Sequence, residues 1–293
     1  MRERVEYILV KLLLGIAKIA PRSWLYAFFK IVALLLYALD SKRRKITIQN
    51  LSYAYPQKSE KEIKKLSRQV YIELSETVTE ILLMFVNRFN IDSAIVNKDE
   101  AIDKIHLLKQ NSPKGIIAMT AHFSNWELLA HFLAKHGLPM LVIGREGNNK
   151  LIEKNITTPF RQKFGNGSAF KGNAMITMVK RLKKGGSVGI LIDQKAGQYN
   201  SVNVDFFGQK AETTTSIAML KQKLDALVVP FFIARVARGK YKIIIADPIE
   251  YEGDMKAKES LEKMTAQYNE VMESIIKTYP AQWFWMHNRW RRR

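Results

Sequence analysis

The chain has no cysteine in 293 residues. Disulfides, thiolate metal sites and a cysteinyl acyl-enzyme are therefore excluded, and the composition fits a reducing compartment. Several familiar signatures are missing as well. There is no G-x-S-x-G elbow, no G-x-x-x-x-G-K-[ST] loop and no H-E-x-x-H helix, so nothing supports a serine hydrolase, a P-loop enzyme or a zinc protease. Internal repeats and low-complexity tracts are absent. Acidic residues are scarce: 27 Asp plus Glu face 47 Lys plus Arg, and the formal net charge is +20. Such an excess calls for an anionic partner, whether nucleic acid, an acidic lipid surface or an acidic carrier protein. With no helix-turn-helix, RNA-recognition or zinc-finger pattern, nucleic acid is the least supported of the three.

What is present in quantity is apolar sequence. Hydrophobic residues make up 47% of the chain, enough for one large core. Residues 5–39, VEYILVKLLLGIAKIAPRSWLYAFFKIVALLLYAL, exceed what an ordinary surface helix carries. Pro21-Arg22-Ser23 splits them into two runs of about 16 residues, shorter than the roughly 20 that a clean spanning helix needs. In the first run Arg4, Lys11 and Lys18 are spaced by seven and share a helical face opposite Ile8, Leu12, Leu13 and Ile19, the pattern of a helix lying in a membrane interface. The second run carries only Lys30, with Trp24, Tyr26 and Tyr37 near its ends as candidate interfacial anchors. Lys42, Arg43, Arg44 and Lys45 follow at once, which places the main body on the cytoplasmic face. Two other readings compete. A cleaved signal peptide lacks its small-residue cleavage site and has its charge on the wrong side; a buried helical hairpin in a soluble core has runs of this length. The expected organisation is a membrane-anchoring helical segment over 1–40 and a main domain over 41–293.

Residues 58–90 predict a helix, with polar residues ahead of the stripe Ile63, Leu66, Val70, Leu74, Val78 and Ile81. From Lys114 onward strand and helix patterns alternate. GIIAMTA (115–121) is a buried-strand run, NWELLAHFLAKH a helix ended by Gly137, and PMLVIG (139–144) a second strand. Helices over 149–164 and 173–184, the strand SVGILID (187–193), a helix near 213–224, the strands ALVVPFFIAR and YKIIIADP, and a helix over 257–278 complete the pattern. The fold class is α/β, with a mixed, largely parallel central sheet flanked by helices and an N-terminal membrane-associated helical segment. In such sheets ligands sit beyond the carboxyl ends of the strands, where His122, Arg145 and Asp193 fall.

His122 and Glu127 are five residues apart, about 140° on a regular helix, and cannot share a helical face. If His122 lies in the strand-to-helix turn and Glu127 in the first turn, with Ser124 or Asn125 as N-cap, the carboxylate can reach back to the imidazole. It would fix the tautomer and leave the other nitrogen as a general base. The competing reading is a packed core histidine. His131 and His136, on the following helix, read as structural or surface residues.

The segment HFSNWE (122–127) resembles the H-x4-D/E motif of the glycerolipid acyltransferase superfamily. Further features resemble its lipid A late acyltransferase branch of lauroyl and myristoyl transferases. They are Arg44, Asn50-Leu51 and Pro56 after the apolar segment, VIGREGNNKLI, ILIDQKAG, VDFFG, Pro230 and the ending WFWMHNRWRRR, in that order. Two departures stand out. Ile192-Asp193-Gln194 and Lys195-Ala196-Gly197 occupy the place of the Phe-x-Glu-Gly block of glycerol-phosphate acyltransferases, and Gly144 precedes Arg145 where the branch has a first arginine.

The resemblance implies an O-acyltransferase at the cytoplasmic face of a bacterial inner membrane, with no cofactor and no metal. The donor would be an acyl thioester on acyl carrier protein or acyl-CoA, and the acceptor a hydroxylated membrane lipid, a lipid A precursor or else a mannoside, amino-acid lipid or phospholipid. His122 would be the base and Glu127 its orienting partner. Arg145 would stabilise the oxyanion or hold an acceptor phosphate. Asp193 and Gln194 would position substrate or simply end a strand, and Asn125, with Trp126, would contact substrate or shape the turn. Phe206-Phe207 would line an acyl groove or belong to the core, and the basic surface would meet carrier and anionic lipid. Arg289 and Arg291 to Arg293, beside Trp283, Trp285 and Trp290, would sit at the membrane interface.

The apolar runs and the basic cluster behind them generate a first prediction. The full chain should sediment with membranes, and a chain that stays soluble at low and high salt alike contradicts the anchor.

Overall fold

The run around Ile117 lies at the centre of the sheet. The computed structural model describes residues 1–290 except 145–146, 171–173, 198–199 and 258. In it β1 (Ile116–Thr120) is flanked by two parallel neighbours, β4 (Ser187–Leu191) and β7 (Leu227–Ala237). A strand paired on both edges and covered on both faces can be apolar at every position, and Ile116, Ile117, Ala118 and Met119 are all buried. Next to β4 come β2 (Met140–Gly144) and β3 (Gly167–Phe170), both parallel. On the other side β8 (Lys240–Ile245) pairs antiparallel with β7, giving the order β3-β2-β4-β1-β7-β8. The mixed, mostly parallel α/β sheet is thus as its pattern predicts.

The helices on its faces start where capping chemistry allows. In α4 (Glu60–Phe85), Ser59 and Glu62 form a reciprocal box, Glu62 accepting from the Ser59 amide at 2.8 Å. In α7 (Trp126–Lys135), the Asn125 side chain accepts from the Leu128 amide at 3.0 Å. The helix expected over 149–164 is divided into α8 (Lys150–Ile152), a π-helical turn (Glu153–Thr157) and α9 (Thr158–Gln162). Beyond these, α10 (Ala174–Leu182), α11 (Ser216–Leu224) and α12 (Ser260–Thr278) match expected helices within a few residues, whereas α3 (Ser41–Ala54), α5 (Ile91–Ala94) and α6 (Lys98–Gln110) occupy stretches without a clear apolar stripe.

Residues 201–214 form a separate antiparallel hairpin, β5 (Ser201–Phe206) and β6 (Gln209–Thr214). Its two-residue turn holds Phe207 and Gly208 at φ 54° and 69°, the left-handed geometry that matches strand twist. Phenylalanine is unusual there. Its amide donates to Glu273 at 2.6 Å and its ring packs on Tyr55 and Trp285. Phe206 and Phe207 therefore belong to the core, in an aromatic cluster with Trp283, Trp285 and Trp290, and do not line a groove. The three tryptophans and Arg289 are buried as well, which overturns their expected place at a membrane interface. Arg291 to Arg293 lie outside the described residues.

At the N-terminus, α1 (Arg2–Ile19) and α2 (Arg22–Leu39) are helices that lie on the body, α2 running along α4. Ala17, Leu25 and Ala33 are buried at that contact. The Arg88 guanidinium donates to the Ala17 and Ala20 carbonyls at 2.8 and 2.7 Å, satisfying the end of α1. Tyr26 and Tyr37 turn inward, donating to Glu80 and bonding Ser67, so of the three expected interfacial aromatics only Trp24 faces out. The outward faces carry Ile8, Leu12 and Ile16 on α1 and Phe28, Ile31 and Leu35 on α2, all more than half exposed. Such a continuous apolar surface is not a feature of ordinary soluble monomers. By length and composition α2 alone among the described helices could cross a membrane.

Candidate active site

His122 lies two positions beyond the end of β1, and Asp193 two positions beyond the end of the adjacent β4. The register of those two strands brings the residues together. The Asp193 carboxylate meets the imidazole Nδ1 at 2.9 Å through one oxygen and accepts the His122 amide at 3.1 Å through the other. That second oxygen also accepts the Trp283 indole N–H at 2.9 Å. Asp193 is only 1% exposed, so its charge survives there because three donors replace water. Burial pushes its pKa up, but the His122 charge and these hydrogen bonds outweigh that and hold it below the ordinary carboxylate value. For His122, burial opposes the imidazolium, yet the Asp193 charge and hydrogen bond, with Glu127 adding its charge, raise the pKa above the ordinary histidine value.

The backbone of this turn is locked from below. Phe123 bridges Trp283, the Phe284 amide donates to the His122 carbonyl at 3.0 Å, and the Ser124 amide donates to the Gln282 carbonyl at 2.7 Å. Ser124 is held at φ 51°, a left-handed conformation that favours glycine. Gln282 is in turn clamped to Arg235 by a pair of 2.8 Å hydrogen bonds. The buried Arg235 guanidinium bonds Glu73 at 2.6 Å, Glu80 at 3.1 Å, Thr77 at 2.8 Å and the Tyr241 hydroxyl at 2.7 Å. Removing one member of so buried an ionic group leaves the others uncompensated.

Glu127 does lie in the first turn of α7, but its carboxylate points elsewhere. It is gripped by Arg161, with Nη2 at 2.7 Å and Nε at 3.2 Å from Oε1. The hydrogen bond expected from Glu127 to the imidazole is made by Asp193 instead, because the strand-end aspartate approaches Nδ1 directly while Arg161 draws Glu127 toward α9. Asn125 is fully buried as the cap of α7 and Asp193 sits behind the ring, so neither lines the cavity in front of it. Gln194 is half-buried and does not line it either. Arg145 lies outside the described residues. His131 is buried with its ring nitrogens against the carbonyls of Glu127 and Phe160, and His136 pairs with Asp92; both are structural. Arg161 carried no signal in the sequence, being one of many basic residues in a basic chain, and Trp283, noted within the C-terminal motif, was expected at a membrane interface and not as a donor to Asp193.

His122, Glu127 and Arg161 share the wall of a cavity of about 250 Å³ that runs between the sheet and α7. Its far walls are apolar, and small residues, Ala118, Ala130 and Gly189, leave the space open. A Cβ at Gly189 would stand 3.3 Å from the Met140 sulfur, so even alanine would press on this wall. The imidazole Nε2 makes no hydrogen bond to any described residue, and Trp126 packs edge-on against the ring at 5.2 Å. The arrangement offers one free imidazole nitrogen, held by a buried carboxylate, at the mouth of an apolar slot. Among the described residues no cluster of three or more His, Asp or Glu side chains could hold a metal ion.

Comparison with known proteins converges on the same chemistry. The family model described as "Bacterial lipid A biosynthesis acyltransferase" matches residues 2–292. The lipid A biosynthesis lauroyltransferase of Escherichia coli (strain K12) is 29% identical over 258 residues, 86% of this chain and 80% of that protein. The lipid A biosynthesis palmitoleoyltransferase of the same strain is 27% identical over 260 residues, 86% and 80% of the two chains. A lipid A biosynthesis acyltransferase of Haemophilus influenzae (strain ATCC 51907 / DSM 11121 / KW20 / Rd) is 24% identical over 274 residues, 92% and 82% of the two chains.

The His122–Asp193 pair generates a pH prediction. The base works as neutral imidazole, so activity should rise as pH climbs through the raised His122 pKa. Asp193→Asn removes the charge that raises it and leaves burial to act. The rising limb of the kcat profile should then move to lower pH while the plateau falls by roughly two orders of magnitude or more. A limb that stays in place or moves to higher pH contradicts the pairing.

Proposed function

Because the chain belongs to the bacterial lipid A biosynthesis acyltransferase family, we propose that it is an O-acyltransferase acting on lipid A. It would move a fatty acyl group from an acyl thioester, on acyl carrier protein or coenzyme A, to a hydroxyl of a lipid A precursor. The observation that carries the reading is the free Nε2 of a carboxylate-held histidine facing an apolar slot. The acyl chain enters the slot and leaves its thioester carbonyl beside His122. Nε2 takes the acceptor hydroxyl proton as the oxygen attacks that carbonyl. The C–S bond then breaks, giving an ester and a thiolate, and the imidazolium returns its proton to the leaving sulfur. Asp193 balances the transient charge on the ring. A thiolate leaves readily, so the only proton that needs managing is that of the hydroxyl.

Glu127 acts here at one remove: it fixes Arg161 at the cavity wall and adds negative potential at His122. Arg145 follows the end of β2 and keeps its role as a candidate contact for the oxyanion or an acceptor phosphate. Enzyme and lipid would meet at the cytoplasmic face of the inner membrane. The exposed apolar faces of α1 and α2, together with the basic residues that follow, support interfacial insertion, and because α2 is laid along α4 only one of its faces is offered to lipid. The net charge of +20 suits both anionic lipid and an acidic acyl carrier.

The test is transfer from acyl carrier protein, and in parallel from acyl-CoA, to a lipid A precursor in detergent micelles. His122→Ala should lower transfer by about two to four orders of magnitude in a protein that still melts cooperatively, at a lower temperature because the buried Asp193 loses a donor. Near-normal turnover in a folded His122→Ala protein, or a wild-type protein that transfers from neither donor, overturns the proposal.

A further inference from the structure

A second and larger cavity, about 860 Å³, lies between α3, the β5–β6 hairpin and residues 288–290, and it shares no lining residue with the apolar slot. Its chemistry is the opposite of the slot's. The amide side chains of Asn203, Gln209 and Asn288 line it and make no hydrogen bond to any described residue, so each presents donors and an acceptor together. Polar groups of that kind complement sugar hydroxyls. The Tyr53 ring, partly exposed on the same wall and set edge-on to Trp290 at 6.1 Å, offers a flat apolar surface to the C–H face of a pyranose.

The wall also carries positive charge. Arg289 is 1% exposed, and its guanidinium reaches only neutral acceptors, the Glu212 carbonyl at 2.6 Å and the Thr213 hydroxyl at 2.5 Å, while Nε has no partner. Burial, partly offset by the charges of Asp193 and Glu212, pushes its pKa down to about 10. Lys195 and Lys210 line the same cavity; Glu212 is its one acidic lining residue and faces Lys195 at 3.4 Å. Position ties the basin to the catalytic pair. Lys195 lies two residues beyond Asp193, so a single short segment has the His122 partner at one end and the basin wall at the other.

We infer that this basin binds a phosphorylated saccharide, the headgroup of the acceptor, so that head and chain are received in two separate compartments, the slot walled by His122 and the basin walled by the segment that follows Asp193. The inference rests on the acyl-transfer reading for its biological use, but the binding itself can be tested without turnover. The full-length protein would be titrated in detergent with three probes: a bis-phosphorylated acylated glucosamine disaccharide, the same lipid with its phosphates removed, and the phosphorylated disaccharide stripped of its acyl chains. The variant is Asn203→Ala combined with Gln209→Ala on the exposed hairpin. The phosphorylated lipid should bind the wild type about tenfold or more tighter than the dephosphorylated one, and the acyl-free sugar phosphate should compete for the site.

In the variant the Kd and KM for the acceptor should rise about tenfold, with the KM for the acyl thioester and the kcat at saturating acceptor unchanged. An acceptor KM unaltered in the variant, equal shifts for donor and acceptor, or failure of the acyl-free sugar phosphate to compete overturns the inference. Binding of the probes without any acyl transfer would leave the basin standing and fault the catalytic reading; transfer with unaltered binding in the variant would do the reverse.

Discussion

A single buried carboxylate organises this molecule. Asp193 is charged and almost wholly removed from water, a state sustained only while its donors stay in place. Those donors come from remote parts of the chain: the imidazole and amide of His122 at the end of β1, and the indole of Trp283 near the C-terminus. The parallel pairing of β1 with β4 brings the first two to it. The third depends on the C-terminal segment, which is pinned by Asn50 of α3, whose side-chain amide donates to the Trp285 and His287 carbonyls at 2.8 and 2.7 Å. Arg43 donates to the Met286 carbonyl at 3.0 Å, and Arg44 closes the end of α2 on its carbonyls. The basic stretch that reads as a headgroup anchor therefore also helps hold the tryptophan that holds the aspartate.

Under the turn a second buried charge group does comparable structural service. Arg235 on β7 joins Glu73, Thr77 and Glu80 of α4, and through its backbone clamps Gln282, whose carbonyl holds Ser124 in its left-handed conformation. Tyr26 of α2 reaches the same Glu80. The helix proposed to rest on lipid is thus connected by hydrogen bonds to the turn that presents His122. The proposed seating of α2 on lipid and the orientation of the ring within the protein would then rest on one continuous set of contacts.

The strongly patterned elements were legible in the sequence because their burial is one-sided or complete: β1, β4 and β7 as apolar runs, α4 as an apolar stripe behind polar residues, and α7 as a capped helix. The H-x4-E spacing pointed to the right turn. It could not say where Glu127 would point, since that depends on Arg161, which the interrupted helix over 150–162 brings from across the cavity. Asp193 was legible as a strand-end acid but not as the histidine's partner, because strand order is a tertiary fact. The hairpin over 201–214 escaped notice since its turn uses Phe at a position where Asn or Gly would have announced it. The C-terminal tryptophans and Arg289 read as an interfacial cluster and proved to be core, for the same reason that composition near a terminus says nothing of what packs over it.

The molecule holds an apolar slot with His122 on its wall, a separate polar basin, and an exposed apolar face on α1 and α2. The central claim is that Asp193 holds the Nδ1–H of His122 and leaves Nε2 free, while Glu127 is engaged with Arg161. The tautomer can be read directly by ¹⁵N NMR of protein labelled at the histidine rings, with His122 assigned by its loss in His122→Ala and the spectra recorded above its pKa. The account predicts that Nδ1 carries the proton, that Glu127→Gln leaves this signature in place, and that Asp193→Asn abolishes it. A proton on Nε2 in the wild type, or a tautomer that responds to Glu127→Gln and not to Asp193→Asn, would contradict it.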